Sequence, residues 1–381
     1  MGGQTSQQPL DTRRAEVAGK LAEIRDLMAQ ARLDAVHLSS AATVAWLTAG
    51  ATTSIDETAE TAAFSALVTQ GASMILTDGI EAPRLREEEA LEQLGFTLVE
   101  EPWHTRGATL RRFAKVGRVA LEERRDVADE LFWRTLRWQR ATLGVQAQAR
   151  LRTGARLAAQ AMNEVARSVR AGMSELEVAA RLGAACRVRG GSAIVTLVGA
   201  DDRIARFRHP IATDHTIDRY AMLVLCFRYR GLVSALTRLA HIGEPPAELV
   251  LTARTVALID ARMLAATRAG RTLADMFEVA RSAYRDVGHP EAIEEHHQGG
   301  PLAYRSRESL ATPGNDWRIA SGQAFAWNPS LRGAKSEDTI LLTADGAEVV
   351  TQTDGWPLWR IEIDGAEIDR PAILALPALP A

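Results

Sequence analysis

The chain has 381 residues, enough for two or three domains of ordinary size. Hydrophobic residues make up 46% and charged residues 24%, and the net charge is -3, so the composition favours neither a nucleic-acid binder nor a membrane-surface protein. The two cysteines lie in apolar surroundings, and no apolar run approaches the roughly 20 residues of a membrane helix. We therefore expect a cytoplasmic protein without disulfides, with a disordered polar leader at residues 1–10.

The next part of the chain, residues 11–130, is predicted to form a small α/β domain. Asp11 or Thr12 is expected to cap a first helix, and a second helix is expected at 83–94. Strands are expected at 35–38, 63–69, 74–77, 96–99 and 118–122. Short strands that alternate with helices are typical of an α/β domain.

The remainder, residues 131–381, is predicted to form an α+β domain. Helices are expected at 130–170, 246–267 and 273–287. Strands are expected at 194–198, 222–227, 232–240, 323–327 and 339–343. Helices packed on one side of antiparallel strands form an α+β layer. The segment from Pro371 to Ala381 is rich in Pro, Ala and Leu, and it is either an ordered strap or a frayed end.

The two strands at 222–227 and 232–240 read as a hairpin with Gly231 in its turn. Its second strand, GLVSALTR, resembles the pattern G-Y-x-S-D-[IL]-T-R of the metal-binding hairpin in the peptidase M24 family. This family contains aminopeptidase P, prolidase and creatinase, and its fold is called pita-bread. The family's Asp corresponds to Ala235, and the region of a second Asp on the first strand offers only Val224, Leu225 and Cys226.

Four further segments extend the resemblance over residues 140–345. They are Phe207-Arg208-His209-Pro210, His296-His297-Gln298-Gly299-Gly300, Ala326-Trp327-Asn328-Pro329 and Lys335-Ser336-Glu337-Asp338-Thr339. The resemblance implies that His297 and Glu337 correspond to metal ligands, whereas Asn328 replaces a Glu ligand. It also implies a creatinase-like α/β domain at the amino terminus and a pita-bread domain at the carboxyl terminus.

A two-metal hydrolytic site needs bridging carboxylates, and two of the expected five ligands remain. We therefore expect no dinuclear metal centre and no cofactor. A single ion held by His297 and Glu337, completed by Cys226, His241 or His296, stays an alternative.

The resemblance to creatinase implies catalytic roles for His209, His297 and Glu337. His209 is expected to be the general acid/base, and the other two would position it or the substrate. Expected substrate-binding residues are Arg208, Arg228, Arg307, Glu308, Asn328 and His296. The simpler interpretations are a loop histidine at 209, a surface ion pair at Glu337 and a solvated charge cluster around Arg307.

Three functions are compatible with these residues. The first is a metal-independent, creatinase-like hydrolase or lyase that acts on a small polar substrate with a C–N bond. The second is a protein that binds a peptide or metabolite without catalysis. The third is a metallopeptidase of the Xaa-Pro aminopeptidase or prolidase type, which the missing ligands oppose. We expect a small-molecule or short-peptide ligand, no nucleic acid, no membrane partner and a homodimer, as family members often form.

Overall fold

The structure is a computed structural model that describes residues 9–124 and 126–378. The chain divides into two compact units, residues 1–140 and 141–381. Most of the expected leader lies outside the described residues, and Leu10 already belongs to the first helix. Within the described residues, no helix is long and apolar enough to cross a membrane.

The first unit is built around a mixed five-stranded sheet with the strand order β4-β3-β2-β1-β5. Its helices are α1 (Leu10–Ala31), α2 (Ala41–Leu47), α3 (Ala82–Glu87), α4 (Ala108–Val116) and α5 (Glu130–Ala141). Its strands are β1 (Ala35–Ser40), β2 (Thr61–Thr69), β3 (Ser73–Asp78), β4 (Thr97–Glu101) and β5 (Val119–Leu121). Strands β1 and β5, and β3 and β4, pair in parallel. The expected strands are thus all present.

Two helix boundaries in the first unit differ from the expectation. The first helix follows Pro9, so Asp11 lies in its first turn and neither Asp11 nor Thr12 is a cap. Pro9 has an extended backbone with ψ 139° and no side-chain acceptor, and its carbonyl accepts the Thr12 and Arg13 amides that begin the helix. The helix expected at 83–94 ends at Glu87, because Ala90 takes a left-handed backbone conformation with φ 54°.

The second unit contains two four-stranded sheets, with the orders β17-β8-β7-β6 and β14-β13-β10-β9. Its helices are α6 (Val145–Ser168), α7 (Glu175–Arg187), α8 (Asp202–Arg206), α9 (Ala247–Ala266) and α10 (Leu273–Asp286). The strands of the two sheets are β6 (Ser192–Ala200), β7 (Tyr220–Tyr229), β8 (Leu232–Ile242), β9 (Gly299–Leu302), β10 (Ala324–Trp327), β13 (Asp338–Thr343), β14 (Gly346–Val349) and β17 (Leu374–Leu376). Two short antiparallel pairs complete the unit, β11 (Ser330–Leu331) with β12 (Ala334–Lys335), and β15 (Leu358–Ile363) with β16 (Ala366–Pro371).

The hairpin predicted from the sequence is formed by β7 and β8. Its turn residues are Arg230 and Gly231, which both have positive φ angles. This is the turn geometry that fits the twist of two antiparallel strands. On one face of the hairpin, Leu225, Phe227 and Leu236 pack against helices α6 and α7 in the main core of the unit.

The end of the described chain is an ordered strap. Strand β17 pairs in parallel with β8, so that Leu374 lies beside Ala240. Just before it, Arg370 is fully buried and contacts two carboxylates, Asp260 and Asp338. The Arg370–Asp338 distance is 2.9 Å, and Asp338 also accepts from Arg238 at 2.8 Å. The carboxyl-terminal segment is therefore attached to α9 and β13 through buried charges.

Replacing Arg370 by Leu is expected to lower the free energy of unfolding by about 3–5 kcal/mol. The substitution leaves the buried carboxylates of Asp260 and Asp338 with less compensating positive charge. Removing one partner of a buried ion pair is strongly destabilising, because the other charge stays buried without compensation. The matched control is Arg360→Leu on β15, because that side chain is largely exposed and should change stability by no more than about 0.5 kcal/mol. Chemical denaturation measures both, and equal stability of the two variants would contradict the prediction.

Candidate functional site

The β7–β8 hairpin presents a second face opposite the helices. Since Leu225 and Phe227 face the core, the alternate residues Val224 and Cys226 lie on the other face. On β8 the same alternation places Ala235 and Thr237 there. This face therefore carries the positions at which the family resemblance expects carboxylates.

The buried carboxylate of Glu337 lies against this face. Its Oε2 accepts from the Thr237 hydroxyl at 2.9 Å and lies 3.2 Å from the Lys335 ammonium. Its Oε1 accepts from the Arg307 guanidinium at 2.8 Å. The backbone of Glu337 also accepts from the Thr237 amide at 3.0 Å, which joins β8 to the start of β13. We call Lys335, Arg307 and Glu337 the ion cluster.

Three imidazoles gather beside the ion cluster, and we call them the three-histidine cluster: His209, His296 and His297. His209 lies in the loop between α8 and β7, and the other two precede β9. One ring nitrogen of each lies within 4.8 Å of the others. The Nε2 atoms of His209 and His296 are 2.9 Å apart. Residues separated by 87 positions in the sequence are thus in direct contact.

The hydrogen bonds assign the tautomers of these rings. His296 Nδ1 lies 2.5 Å from the His297 carbonyl oxygen, which can only accept, so Nδ1 carries the proton. In the neutral ring His296 Nε2 then has a lone pair, and His209 Nε2 donates to it. The Nδ1 atom of a neutral His209 is left with a free lone pair. His297 Nδ1 accepts from the Gly299 amide at 3.3 Å, so a neutral His297 carries its proton on Nε2.

The environment keeps all three histidines neutral. Burial lowers the pKa of His296 to about 3, and the positive charge of Lys335 contributes. His297 and His209 keep exposed surface, but they are partly desolvated. This loss of hydration, together with Arg307 and Lys335, lowers the pKa of His297 to about 4. Loss of hydration and Lys335 also lower the pKa of His209, against the opposing charge of Glu337. Each ring therefore has one N–H donor and one lone pair at neutral pH.

The acidic and thiol groups of the site respond to the same charges. Burial acts to raise the pKa of Glu337, but Lys335 and Arg307 outweigh it and bring the pKa to about 2. Burial and the nearby Glu337 charge raise the pKa of the Cys226 thiol to about 11. At neutral pH Glu337 is ionised and Cys226 is a thiol, which is a poor metal ligand.

A glycine beside the three-histidine cluster is required by close packing. Gly299 has a φ of 93°, and a Cβ atom on it would lie 2.0 Å from the Ala326 carbonyl oxygen. No side chain fits there, so β9 and β10 can approach closely only with glycine at this position. The same missing Cβ would lie 3.1 Å from Asn328 Oδ1. That oxygen is buried and has no hydrogen-bond partner among the described residues.

The other expected substrate-binding residues are spread around the site. Arg208 pairs with Glu295, which also contacts Arg332. Arg228 lies near the hairpin tip, on the same face of β7 as Cys226. Glu308 is buried, and its amide donates to the Pro301 carbonyl. His241, one of the alternatives for a single-ion site, directs Nδ1 to the Gly243 carbonyl at 3.0 Å.

Lys335 is the site residue that the sequence interpretation missed. It was considered only as a surface partner of Glu337, yet its side chain is 5% exposed. Lys335 ends β12 and Glu337 lies just before β13, so their ion pair forms where the chain passes from one strand to the next. Arg307, one of the expected substrate-binding residues, contacts Glu337 together with Lys335.

Comparisons with known proteins identify the family of the chain. The family model described as "Metallopeptidase family M24" matches residues 149–344, slightly more than half of the chain. The chain belongs to metallopeptidase family M24. A relative from Pyrococcus furiosus named Xaa-Pro dipeptidase is 26% identical over 197 residues, which are 48% of this chain and 55% of the relative. The chain spans about half the length, or less, of the curated relatives it matches.

Solved structures of similar fold cover nearly the whole M24 protein. The dipeptidase PepE from Mycobacterium ulcerans superposes with a TM-score of 0.73 and 20% identity, over 96% of this chain and 99% of that one. The N-terminal domain of FACT complex subunit SPT16 from chickpea superposes with a TM-score of 0.67 and 13% identity, over 91% and 97%. The expected fold, an α/β domain followed by an α+β pita-bread domain, is confirmed.

The pKa of His296 makes stability depend on pH. An unfolded chain binds a proton near pH 6.5, but the folded protein does not until about pH 3, so the free energy of unfolding falls as pH falls through this window. At about pH 4 this effect amounts to about 3 kcal/mol. Replacing His296 by Gln should flatten the dependence between about pH 6.5 and pH 4. Urea unfolding at several pH values measures this, and an unchanged slope would contradict it.

Proposed function

We propose that this M24 protein is a hydrolase or lyase of the creatinase type. It would act on a small polar substrate with a C–N bond and would use no pair of metal ions. The observation that carries the proposal is the contact between His209 and His296, which leaves a lone pair on a neutral His209. This base lies beside a carboxylate, Glu337, whose charge is held by two cations.

The side chains at the metal positions do not fit two bridged ions. Val224 and Ala235 have no donor atom, and Asn328 offers a neutral amide where the family resemblance expects a carboxylate. Glu337 is in contact with two positively charged groups, and His297 accepts from an amide at Nδ1. A histidine that binds metal usually donates its second N–H to a carbonyl or carboxylate instead.

His209 is suited to proton transfer. Its lowered pKa keeps it in the base form at neutral pH, and its exposed side chain allows contact with a ligand. In the proposed reaction, Nδ1 takes a proton from water or from the substrate, and it later returns the proton to the leaving nitrogen. His296 would act as a positioning residue, because its hydrogen bond sets the orientation and tautomer of His209.

Two alternatives have a specific observation in their favour. The name of the Pyrococcus relative favours an Xaa-Pro dipeptidase, but the missing carboxylates oppose a metal-dependent reaction. The likeness to a subunit of the FACT complex favours binding without catalysis, since the same fold occurs in a protein that is not named as an enzyme.

A single ion in the three-histidine cluster is opposed by the nearby charges of Lys335 and Arg307. The homodimer and the cytoplasmic location stay predictions.

We predict that the purified protein holds fewer than about two equivalents of Mn, Co, Zn or Fe per chain. The physical reason is that the hairpin has no carboxylate at Val224 and Ala235. In addition, the Lys335 ammonium contacts Glu337, the carboxylate that remains. Elemental analysis after mild purification tests it. Added Mn or Co should produce no Xaa-Pro cleavage, and Asn328→Glu should not restore it, because one carboxylate cannot bridge two ions. About two bound equivalents would refute the proposal.

We predict that His209→Ala lowers turnover by roughly 10²–10⁴-fold, the usual contribution of a positioned acid/base group. A thermal-shift screen of polar metabolites identifies ligands, and turnover is then measured on those that stabilise the protein. His215→Ala is the matched control, because His215 is an exposed histidine of the same unit. A binding protein would give a different result: His209→Ala would weaken ligand binding, and the unaltered protein would turn over none of the ligands.

A further inference from the structure

The ion cluster carries a net positive charge deep in the site. Lys335 and Arg307 are cationic and Glu337 is anionic, so two positive charges face one negative charge. The hydrogen bonds of the three-histidine cluster beside it fit neutral rings, because His296 Nδ1 donates to the His297 carbonyl and His296 Nε2 accepts from His209. The side chains of Lys335 and Glu337 are 5% and 2% exposed, so water screens these charges weakly. The polarity is opposite to that of a site lined with carboxylates.

Donor atoms for a ligand are present in the same place. The Lys335 ammonium has three N–H donors. Among the described residues, its ion-pair partner is Glu337 Oε2, which also accepts from the Thr237 hydroxyl. The neutral tautomer of His297 carries a further N–H on Nε2. Gly299 and Asp338 both pair with Trp327 of β10, so the chain before β9, with His297, and the chain before β13, with Lys335, enter the sheet at the same end.

We infer that Lys335 and His297 bind the oxyanion group of a small ligand, a carboxylate or a phosphate, where the family resemblance places metal ions. Arg307 holds Glu337 in place and contributes its charge. The inference rests on the proposed function for the location of the substrate, and it adds the chemical class of the group bound there. A positively charged ligand group is disfavoured, because the Glu337 carboxylate already has two cationic partners.

This site leaves His209 free for chemistry. An oxyanion held by Lys335 and His297 lies next to the three-histidine cluster, and Nδ1 of His209 keeps its lone pair.

The test measures binding of two probes, inorganic phosphate and formate, to the full chain by calorimetry and thermal shift, with sodium chloride at matched ionic strength as the reference. We expect saturable binding of one equivalent. Lys335→Met should weaken it roughly 10- to 100-fold, the usual effect of losing a charged hydrogen bond. Lys335→Arg should retain most of the affinity. Arg360→Met, at an exposed position on β15, is the matched control and should change nothing.

Glu337→Gln distinguishes the two kinds of site most clearly, because an anion site and a cation site predict opposite changes in affinity. Removing the negative charge should tighten phosphate and formate binding, whereas a site for a metal or a cationic group would lose affinity. This variant and Lys335→Arg carry the test if Lys335→Met fails to fold. Absence of saturable binding, equal binding by Lys335→Met, or weaker binding by Glu337→Gln would overturn the inference.

Failure of the proposed function would look different. His209→Ala should retain phosphate binding while turnover is lost, because His209 is not one of the anion ligands. If anion binding is found but no turnover is detected for any stabilising metabolite, the oxyanion site stands and the catalytic proposal fails. Stoichiometric zinc or manganese that competes with phosphate would instead contradict both.

Discussion

The contact of one buried carboxylate with two cations is the interaction on which the site depends. The two oxygens of Glu337 contact Thr237 of β8, Lys335 of β12 and Arg307 of the loop after β9. Three separate segments therefore meet at this carboxylate. A buried carboxylate without such partners would cost several kcal/mol. Glu337 therefore joins the two sheets of the second unit through Thr237, and its two cations set the charge of the site.

The same cations contribute to the state of the histidines. Loss of hydration is the largest cause of the lowered pKa of all three imidazoles, Lys335 lowers each of them further, and Arg307 adds to this effect at His297. Neutral imidazoles can donate and accept, and the chain of hydrogen bonds from His209 through His296 to the His297 carbonyl requires both roles. Charge balance at Glu337 and the fixed tautomer of His209 are consequently parts of one electrostatic arrangement.

The sequence predicts the fold better than the site. The strands around Gly231 and the segments with His297 and Glu337 resemble motifs of the M24 family. This resemblance was sufficient to predict the pita-bread domain, because each motif is a short local pattern. The contact between His209 and His296 depends on how distant loops meet, and no spacing rule predicts it. Lys335 lies in β12, a strand that was not predicted, so its burial beside Glu337 could not be expected from the sequence. The early end of the helix expected at 83–94 was not predictable either, because alanine gives no signal for a left-handed backbone.

The ion pair of Lys335 with Glu337 also limits how the site could be changed to bind two metal ions. A single change of Ala235 to Asp would add a carboxylate on the face of β8 that already carries Thr237 and Glu337. The ammonium of Lys335, which already contacts Glu337, would compete with metal ions for the carboxylates of the site. Binding of two ions would require acidic residues at positions 224, 235 and 328 together with removal of the Lys335 charge. Because substitutions of neighbouring residues are not additive, none of these four changes is expected to create the site alone.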